Sequence, residues 1–322
     1  MKISLAPMEG LTGFVYRNAH KECFNSIDRY ISPFISASSS GSIKNREFID
    51  ILPENNIGLE LLPQIMANDA KNFLLTCKTI AKLGYKEVNL NLGCPFKLLV
   101  TKNKGSGFLA KPKELDDFLY EIFAKTESKI SIKTRLGIAE PEEFYEIIEL
   151  YNKYPIEELT IHPRVQKDFY RNTPNRKVFK DALRISKNPI CYNGDLFTAE
   201  DFHQFESEFP TVHSIMFGRG VLANPGLINE IIWQKKTDKL LLKDFHDKIY
   251  QGYKETLGRD LSVVNKMKGL WMYMISVFPD NELFAKKIRM AVNLQEYDEA
   301  VSCLFRERDL MDDYKQNLKF RD

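Results

Sequence analysis

The sequence predicts an α/β fold: a (β/α)8 TIM barrel over residues 1–234, followed by an all-helical bundle over residues 238–322. Three observations predict it. Eight short apolar runs recur between turn signals in the first two thirds of the chain. Helical periodicity fills most of the gaps between them, and after Trp233 only helical periods remain. Strand followed by helix, repeated along a chain, argues for a parallel sheet closed into a barrel. An open doubly wound sheet uses five or six strands and a glycine-rich first turn, which Pro7-Met8-Glu9-Gly10-Leu11-Thr12 does not supply.

The apolar runs are Ile3–Ala6, Ile27–Ile35, Gly58–Ile65, Glu87–Leu92, Ile130–Leu136, Leu159–His162, Pro189–Tyr192 and Val212–Phe217. Helical patterns lie at 68–83, 113–125, 140–153, 175–186 and 198–207, while the gap 36–56 suits a short helix and a loop. Lys235-Lys236-Thr237-Asp238 reads as a polar linker. Beyond it, periods at 243–256, 263–277, 282–293, 296–304 and 306–318 predict a separate bundle of about four helices.

Composition bounds the function. The 322 residues are 43% hydrophobic and 28% charged, an ordinary globular balance, and the net charge of +2 does not announce a polyanion binder. Residues 238–322 hold fifteen Lys+Arg against fifteen Asp+Glu, so a basic face there must be segregated. Lys266, Lys268, Lys286, Lys287 and Arg289 are its candidate members; a solvated face balanced by nearby acids is the alternative. The five cysteines are scattered, with no Cys-x-x-Cys pair, which argues against a disulfide framework and a zinc or iron–sulfur knuckle. No window approaches ~20 apolar residues, and the first residues carry no signal-peptide pattern. The expectation is a cytoplasmic monomer with no membrane span and no metal.

In such a barrel the chemistry gathers on the loops after the strands. Those loops here hold Pro7-Met8-Glu9-Gly10, Gln64, Asn91-Leu92-Gly93-Cys94-Pro95, Lys133 with Arg135, His162 with Arg164, Asn193-Gly194-Asp195 and Gly218-Arg219-Gly220. Polar, ionisable or glycine residues thus recur at nearly every carboxyl end, whereas the strand interiors are rich in Ile, Leu and Val. A purely structural barrel has no need of that. The last two loops suit a phosphate, because glycine lets the backbone approach and a guanidinium forks onto phosphate oxygens.

Together these motifs resemble the tRNA-dihydrouridine synthase family, which are FMN enzymes. The resemblance rests on Ala6-Pro7-Met8-Glu9-Gly10, Gln64, Asn91-x-Gly93-Cys94-Pro95, Gly105-Ser106-Gly107, Lys133-x-Arg135-x-Gly137, His162-x-Arg164, Asn193-Gly194-Asp195 and Gly218-Arg219-Gly220 with Asn224-Pro225. The motifs run in the family's order across residues 6–225. The helical segment matches the family's RNA-binding domain in position and length.

The resemblance implies roles. Pro7, Met8 and Glu9 would lie along the flavin ring, with Gln64 and Lys133 at its pyrimidine side. His162, Asn193, Gly194, Asp195, Gly218 and Arg219 would hold the ribityl phosphate. Asn91 would meet the substrate, a uridine in tRNA. Arg135 is a further candidate for substrate binding, as is Lys97 on the loop from Phe96 to Gly105, whose Lys97, Lys102 and Lys104 lie beside the cysteine and for which a solvated loop is the alternative. Cys94 would be the proton donor, and NADPH or NADH the electron source. Reducing the uracil C5–C6 bond needs a hydride at C6 and a proton at C5. A thiol of pKa ~8.5 is mostly protonated near neutrality yet acidic enough to give that proton up.

Three positions depart from the family. Asn89 stands where an acid is common, Tyr170-Arg171-Asn172 replaces Tyr-x-Gly, and Lys266-Met267-Lys268-Gly269 lies where many members have a histidine. Two other readings remain open at this point. One is a small-molecule FMN barrel of the dihydroorotate dehydrogenase type, which the helical appendage argues against. The other is a non-catalytic RNA-binding protein on the same scaffold, which colourless protein unable to take up flavin would favour.

Overall fold

The computed structural model describes residues 1–318; the last four residues of the segment 238–322 lie outside the described residues. Ten parallel strands form one sheet: β1 (Lys2–Leu5), β2 (Arg29–Ile31), β3 (Ile35–Ser36), β4 (Leu61–Leu62), β5 (Gln64–Met66), β6 (Glu87–Leu92), β7 (Lys129–Arg135), β8 (Leu159–His162), β9 (Ile190–Tyr192) and β10 (Ser214–Phe217). The eight apolar runs became ten strands because two of them carry a proline in their interior. Pro33 divides β2 from β3 and Pro63 divides β4 from β5, since a proline has no N–H to give a ladder.

Pairing nevertheless runs across both breaks. Tyr30 and Ile31 of β2 lie against Leu61 and Leu62 of β4, while Ile35 and Ser36 of β3 lie against Ile65 and Met66 of β5. Between the breaks the Ser32 amide donates to the Leu62 carbonyl (3.1 Å). β5 pairs β6, the ladder continues through β7, β8 and β9 to β10, and β1 pairs both β10 and β2. Counting each interrupted pair once, eight strands return to their start. That is the predicted barrel.

The helices between strands sit near their predicted places: Ala70–Ala81, Pro112–Lys125, Glu143–Tyr151, Arg176–Ile185 and Ala199–Glu208. Helix Phe14–Cys23 follows β1, and Asn45–Ile51 is the short helix of the poorer gap. Asp69, Asn175 and Thr198 cap the third-residue amides of the helices they precede, which fixes where each begins.

Beyond the barrel come Lys239–Thr256, Asp260–Met274, Glu282–Met290 and Leu294–Glu307. The helix expected over 306–318 does not form. Instead the chain leaves Glu307 as a strap with one turn at Lys315–Asn317, drawn to the barrel by tertiary bonds. The Tyr314 hydroxyl donates to the Phe197 carbonyl (2.8 Å), Asn224 Nδ2 donates to that hydroxyl (3.2 Å), and Lys315 meets Asp201 (2.5 Å). The bundle does not stand apart. Phe245 packs edge-on against Tyr16, His20 and Phe24 of the barrel's first helix, and one continuous hydrophobic cluster holds both parts.

Candidate active site

Side chains from β5, β6 and β7 build one corner of the barrel. Gln64 Nε2 donates to Asn89 Oδ1 (2.7 Å), Asn89 Nδ2 to Ser131 Oγ (3.0 Å), and Asn91 Nδ2 to Gln64 Oε1 (2.7 Å). Asn91 Oδ1 then accepts the backbone amides of Gly93 (3.1 Å) and Cys94 (3.0 Å), curling the chain as β6 ends. Asn89, where the family commonly has an acid, is here a neutral link in a buried amide ladder. Gln64 is fully buried, with one N–H and one lone pair of its amide still open.

Two further groups clamp the Cys94 turn. Arg135, buried, donates from Nε to the Gly93 carbonyl (2.9 Å) and from its terminal nitrogens to the carbonyls of Val165 (3.0 Å) and Phe169 (2.7 Å). Ser106 places both its amide (3.1 Å) and its hydroxyl (2.9 Å) on the Cys94 carbonyl. Gly105 precedes it at φ +58°, where a Cβ would lie 2.7 Å from that same carbonyl oxygen. Only glycine fits there.

The thiol is half-buried and unpaired with any other cysteine. Burial raises its pKa above the ordinary value, opposed by the Phe96 backbone N–H and then by the charges of Arg135 and Lys133. The net effect keeps the sulfur protonated near neutrality, beside groups that favour the thiolate once the proton has gone. Lys133 has no hydrogen bond or ion pair among the described residues. Burial first, and then the Arg135 charge, push its ammonium down to about 8.

Across the mouth, β8, β9 and β10 deliver a cationic cluster around one carboxylate. Arg164 forks onto Asp195 (2.9 and 2.5 Å), and Arg219 reaches the same carboxylate at 2.6 Å. Arg164 also donates to His162 Nε2 (3.0 Å). The imidazole is buried among cations, so its pKa falls well below the usual value, first by burial and then by the charges of Arg135 and Lys133. A neutral ring accepting at Nε2 carries its proton on Nδ1. That N–H has no partner among the described residues and remains a donor for a ligand. Asn193 Nδ2 holds the Met216 carbonyl (2.8 Å), which ties the last two strand ends together. At Gly194 a Cβ would fall 2.1 Å from the Tyr192 hydroxyl, so that turn too needs glycine. Gly218 closes β10 and precedes Arg219.

The β1 loop forms the third side. Pro7 and Met8 are half-buried, and the Met8 amide donates to Thr12 Oγ1 (2.9 Å). Glu9 is exposed and paired with Arg46 (3.1 Å). Lys97 lies outside this ring, exposed on the turn Lys97–Val100. A cavity of about 450 Å³ between Tyr30, Glu60 and Trp233 opens at the opposite end, where β2 and β4 begin; none of the expected site residues lines it.

Sequence reasoning left two participants without roles. Arg164 was visible in His162-x-Arg164, but nothing in the sequence says that it joins His162 to Asp195. Tyr170 lies over two guanidinium groups, Arg219 at 4.6 Å and Arg135 at 5.4 Å, and beside the His162 ring. Asn172, where the family has glycine, adopts φ +52°, a region asparagine tolerates, so the Tyr-x-Gly turn keeps its shape without its glycine. Lys266, expected on an RNA-facing surface, is half-buried and donates to the Gly10 carbonyl (2.8 Å), tying the helical segment to the β1 loop. Among the described residues no group of three or more His, Cys, Asp or Glu is placed to hold a metal ion, and no helix is long and apolar enough to cross a membrane.

The fold is like that of 2-naphthoyl-CoA reductase, with a TM-score of 0.56 at 10% identity over 73% of this chain and 50% of that one. The tRNA-dihydrouridine(16) synthase of Vibrio vulnificus is 25% identical over 315 residues, covering 92% of this chain and 95% of that protein. A probable tRNA-dihydrouridine synthase of Staphylococcus aureus is 26% identical over 236 residues, covering 69% of this chain and 68% of its own length. The family model for dihydrouridine synthases matches residues 4–315, from β1 to the strap that returns to the barrel, so the chain belongs to the dihydrouridine synthase family.

Proposed function

We propose that this oxidoreductase reduces the C5–C6 double bond of specific uridines in tRNA, with FMN as its cofactor, NADPH or NADH as electron source and Cys94 as proton donor. The observation that carries the reading is the Cys94 corner: a protonated, half-buried thiol fixed by Asn91, Arg135 and Ser106 beside the unpartnered Lys133. The donor set fits a phosphorylated flavin. Lys133 and the His162 Nδ1–H are open donors, and Arg219 stands where barrels bind phosphate.

Bound FMN, once reduced, supplies a hydride for uracil C6. The chain's residues do the rest. Pro7, Met8 and Glu9 would border the ring, Gln64 and Lys133 would meet its pyrimidine edge, and His162, Asn193, Gly194, Asp195, Gly218 and Arg219 would hold the phosphate. Lys133 would balance the negative charge of the reduced cofactor. Cys94 releases its proton to C5, and the Phe96 amide with the Arg135 charge steadies the resulting thiolate. Asn91 holds the thiol's own backbone and so sets its position relative to the base. Three of Arg135's donors are already engaged, so its part is to hold the turn on which the substrate rests. Lys97 and the unpaired, exposed Lys286, Lys287 and Arg289 on helix Glu282–Met290 suit RNA phosphates.

The test is mass-spectrometric mapping of dihydrouridine in tRNA from a strain lacking the gene, before and after incubation with the purified protein and NADPH. New dihydrouridine with the wild type and none with Cys94→Ala is expected. A yellow wild-type protein that forms none in any tRNA, or that turns over orotate without RNA, would overturn the reading.

A further inference from the structure

We infer that Phe96 is a stacking wedge for RNA: its ring takes the face of a base next to the uridine presented to Cys94, holding the strand open. The inference rests on the function proposed above and adds to it a residue that sets how the substrate is presented.

Three observations carry it. First, Phe96 lies two residues after the thiol, on the turn whose start Asn91 fixes through the Cys94 amide. Second, the ring itself is 61% exposed, joins no part of the hydrophobic clusters and meets no other aromatic ring among the described residues. Of the other large exposed apolar side chains, Ile57 and Trp233 lie towards the opposite end of the barrel, Leu98 is an aliphatic neighbour on the same loop, and Tyr170 is engaged with Arg135, Arg219 and His162. Third, the loop that carries Phe96 is basic. Lys97, Lys102 and Lys104 follow it, and none has an ion-pair partner among the described residues.

The loop is held at both ends. Cys94 is fixed by Asn91, Ser106 returns the chain to the Cys94 carbonyl, and Asn68 Nδ2 donates to the Lys102 carbonyl (3.0 Å). An uncovered aromatic ring on an anchored turn, flanked by unpaired lysines, is the combination that binds single-stranded nucleic acid: stacking on any base plus contacts to phosphate. A uridine must leave its stack to reach a barrel mouth, and its neighbour then has a bare face. Phe96 is the aromatic side chain set beside the thiol to cover it.

The test uses the full-length enzyme carrying flavin and dihydrouridine-free tRNA. In single-turnover reduction, Phe96→Ala should slow dihydrouridine formation about 5- to 150-fold, the range for one base–aromatic stack, while Phe96→Tyr stays within about threefold of wild type. The alanine variant leaves the backbone of the turn unchanged, and its rate of flavin reduction by NADPH reports that it is folded. Phe96→Trp supplies a direct probe. Its emission should be quenched by tRNA, after subtraction of the wild-type signal from Trp233 and Trp271. A Phe96→Ala enzyme within twofold of wild type, or a Phe96→Trp emission that tRNA does not change, would overturn the wedge with the function intact. A wild-type enzyme that makes no dihydrouridine would remove the function itself and the wedge with it.

Discussion

The Arg135 guanidinium donates from Nε to the carbonyl of Gly93 at 2.9 Å, one residue before the thiol proposed as proton donor. The same buried group holds two carbonyls of the loop after β8. Replacing it by methionine keeps the volume and leaves three carbonyls short of a donor. Arg135→Met should lose roughly 2–4 kcal/mol in denaturant unfolding and slow dihydrouridine formation at least tenfold. Arg135→Lys, with a single point charge for three diverging acceptors, should recover little of either.

Gly105 makes a sharper prediction, because the nearest atoms to a side chain there belong to Cys94 itself. Gly105→Ala forces a side chain into φ +58° and against the Cys94 carbonyl. The strain should cost roughly 1–2 kcal/mol. Turnover should fall by more than flavin affinity does, measured by comparing kcat with the FMN dissociation constant.

Lys133 should make the protein's stability depend on pH in an unusual direction. Its pKa is lowered from 10.5 to about 8, so between those values the unfolded chain binds more protons than the folded one. Stability from this group therefore rises with pH across that window, and below pH 8 the folded protein carries the unfavourable charge in full. Flavin-free Lys133→Met should melt higher than flavin-free wild type at pH 7. The gap should narrow as pH approaches 10.5, as calorimetry across that range will show. A reduced flavin bearing negative charge should bind with proton uptake near pH 9.

Arg219 shares Asp195 with Arg164, so its removal leaves neither partner bare. Arg219→Ala should fold normally yet bind FMN about 10- to 100-fold more weakly in fluorescence titration, the loss expected of one charge-assisted phosphate contact. Asp195→Asn should do the opposite to stability, because Arg164 is almost fully buried and would lose its counter-charge.

The barrel was legible because its strands are short Ile-, Leu- and Val-rich runs, and β6 and β8 begin and end where the pattern places them. The two proline breaks lay in plain sight at Pro33 and Pro63, but only the pairing shows that the ladder resumes after each. The motifs marked which residues gather at the mouth, while their partners stayed hidden. A buried arginine and a surface one look alike in sequence, so Arg135 read as a substrate ligand although its donors hold carbonyls. Lys266 read as part of a basic face, and its engagement with Gly10 is a long-range contact that no local pattern encodes. The strap after Glu307 has helical periodicity, and tertiary bonds from Tyr314 and Lys315 override it.

That strap bears on how the chain is made. Tyr314 reaches Phe197 and Asn224 from 117 and 90 residues downstream. At ~5–20 residues per second, the side of the barrel holding Arg219 must wait about 6–23 s after Phe197 is synthesised for Tyr314 to appear. That side of the barrel is thus completed only when Tyr314 is made, and nascent chains stalled before residue 314 should remain open to proteases around residues 197–224.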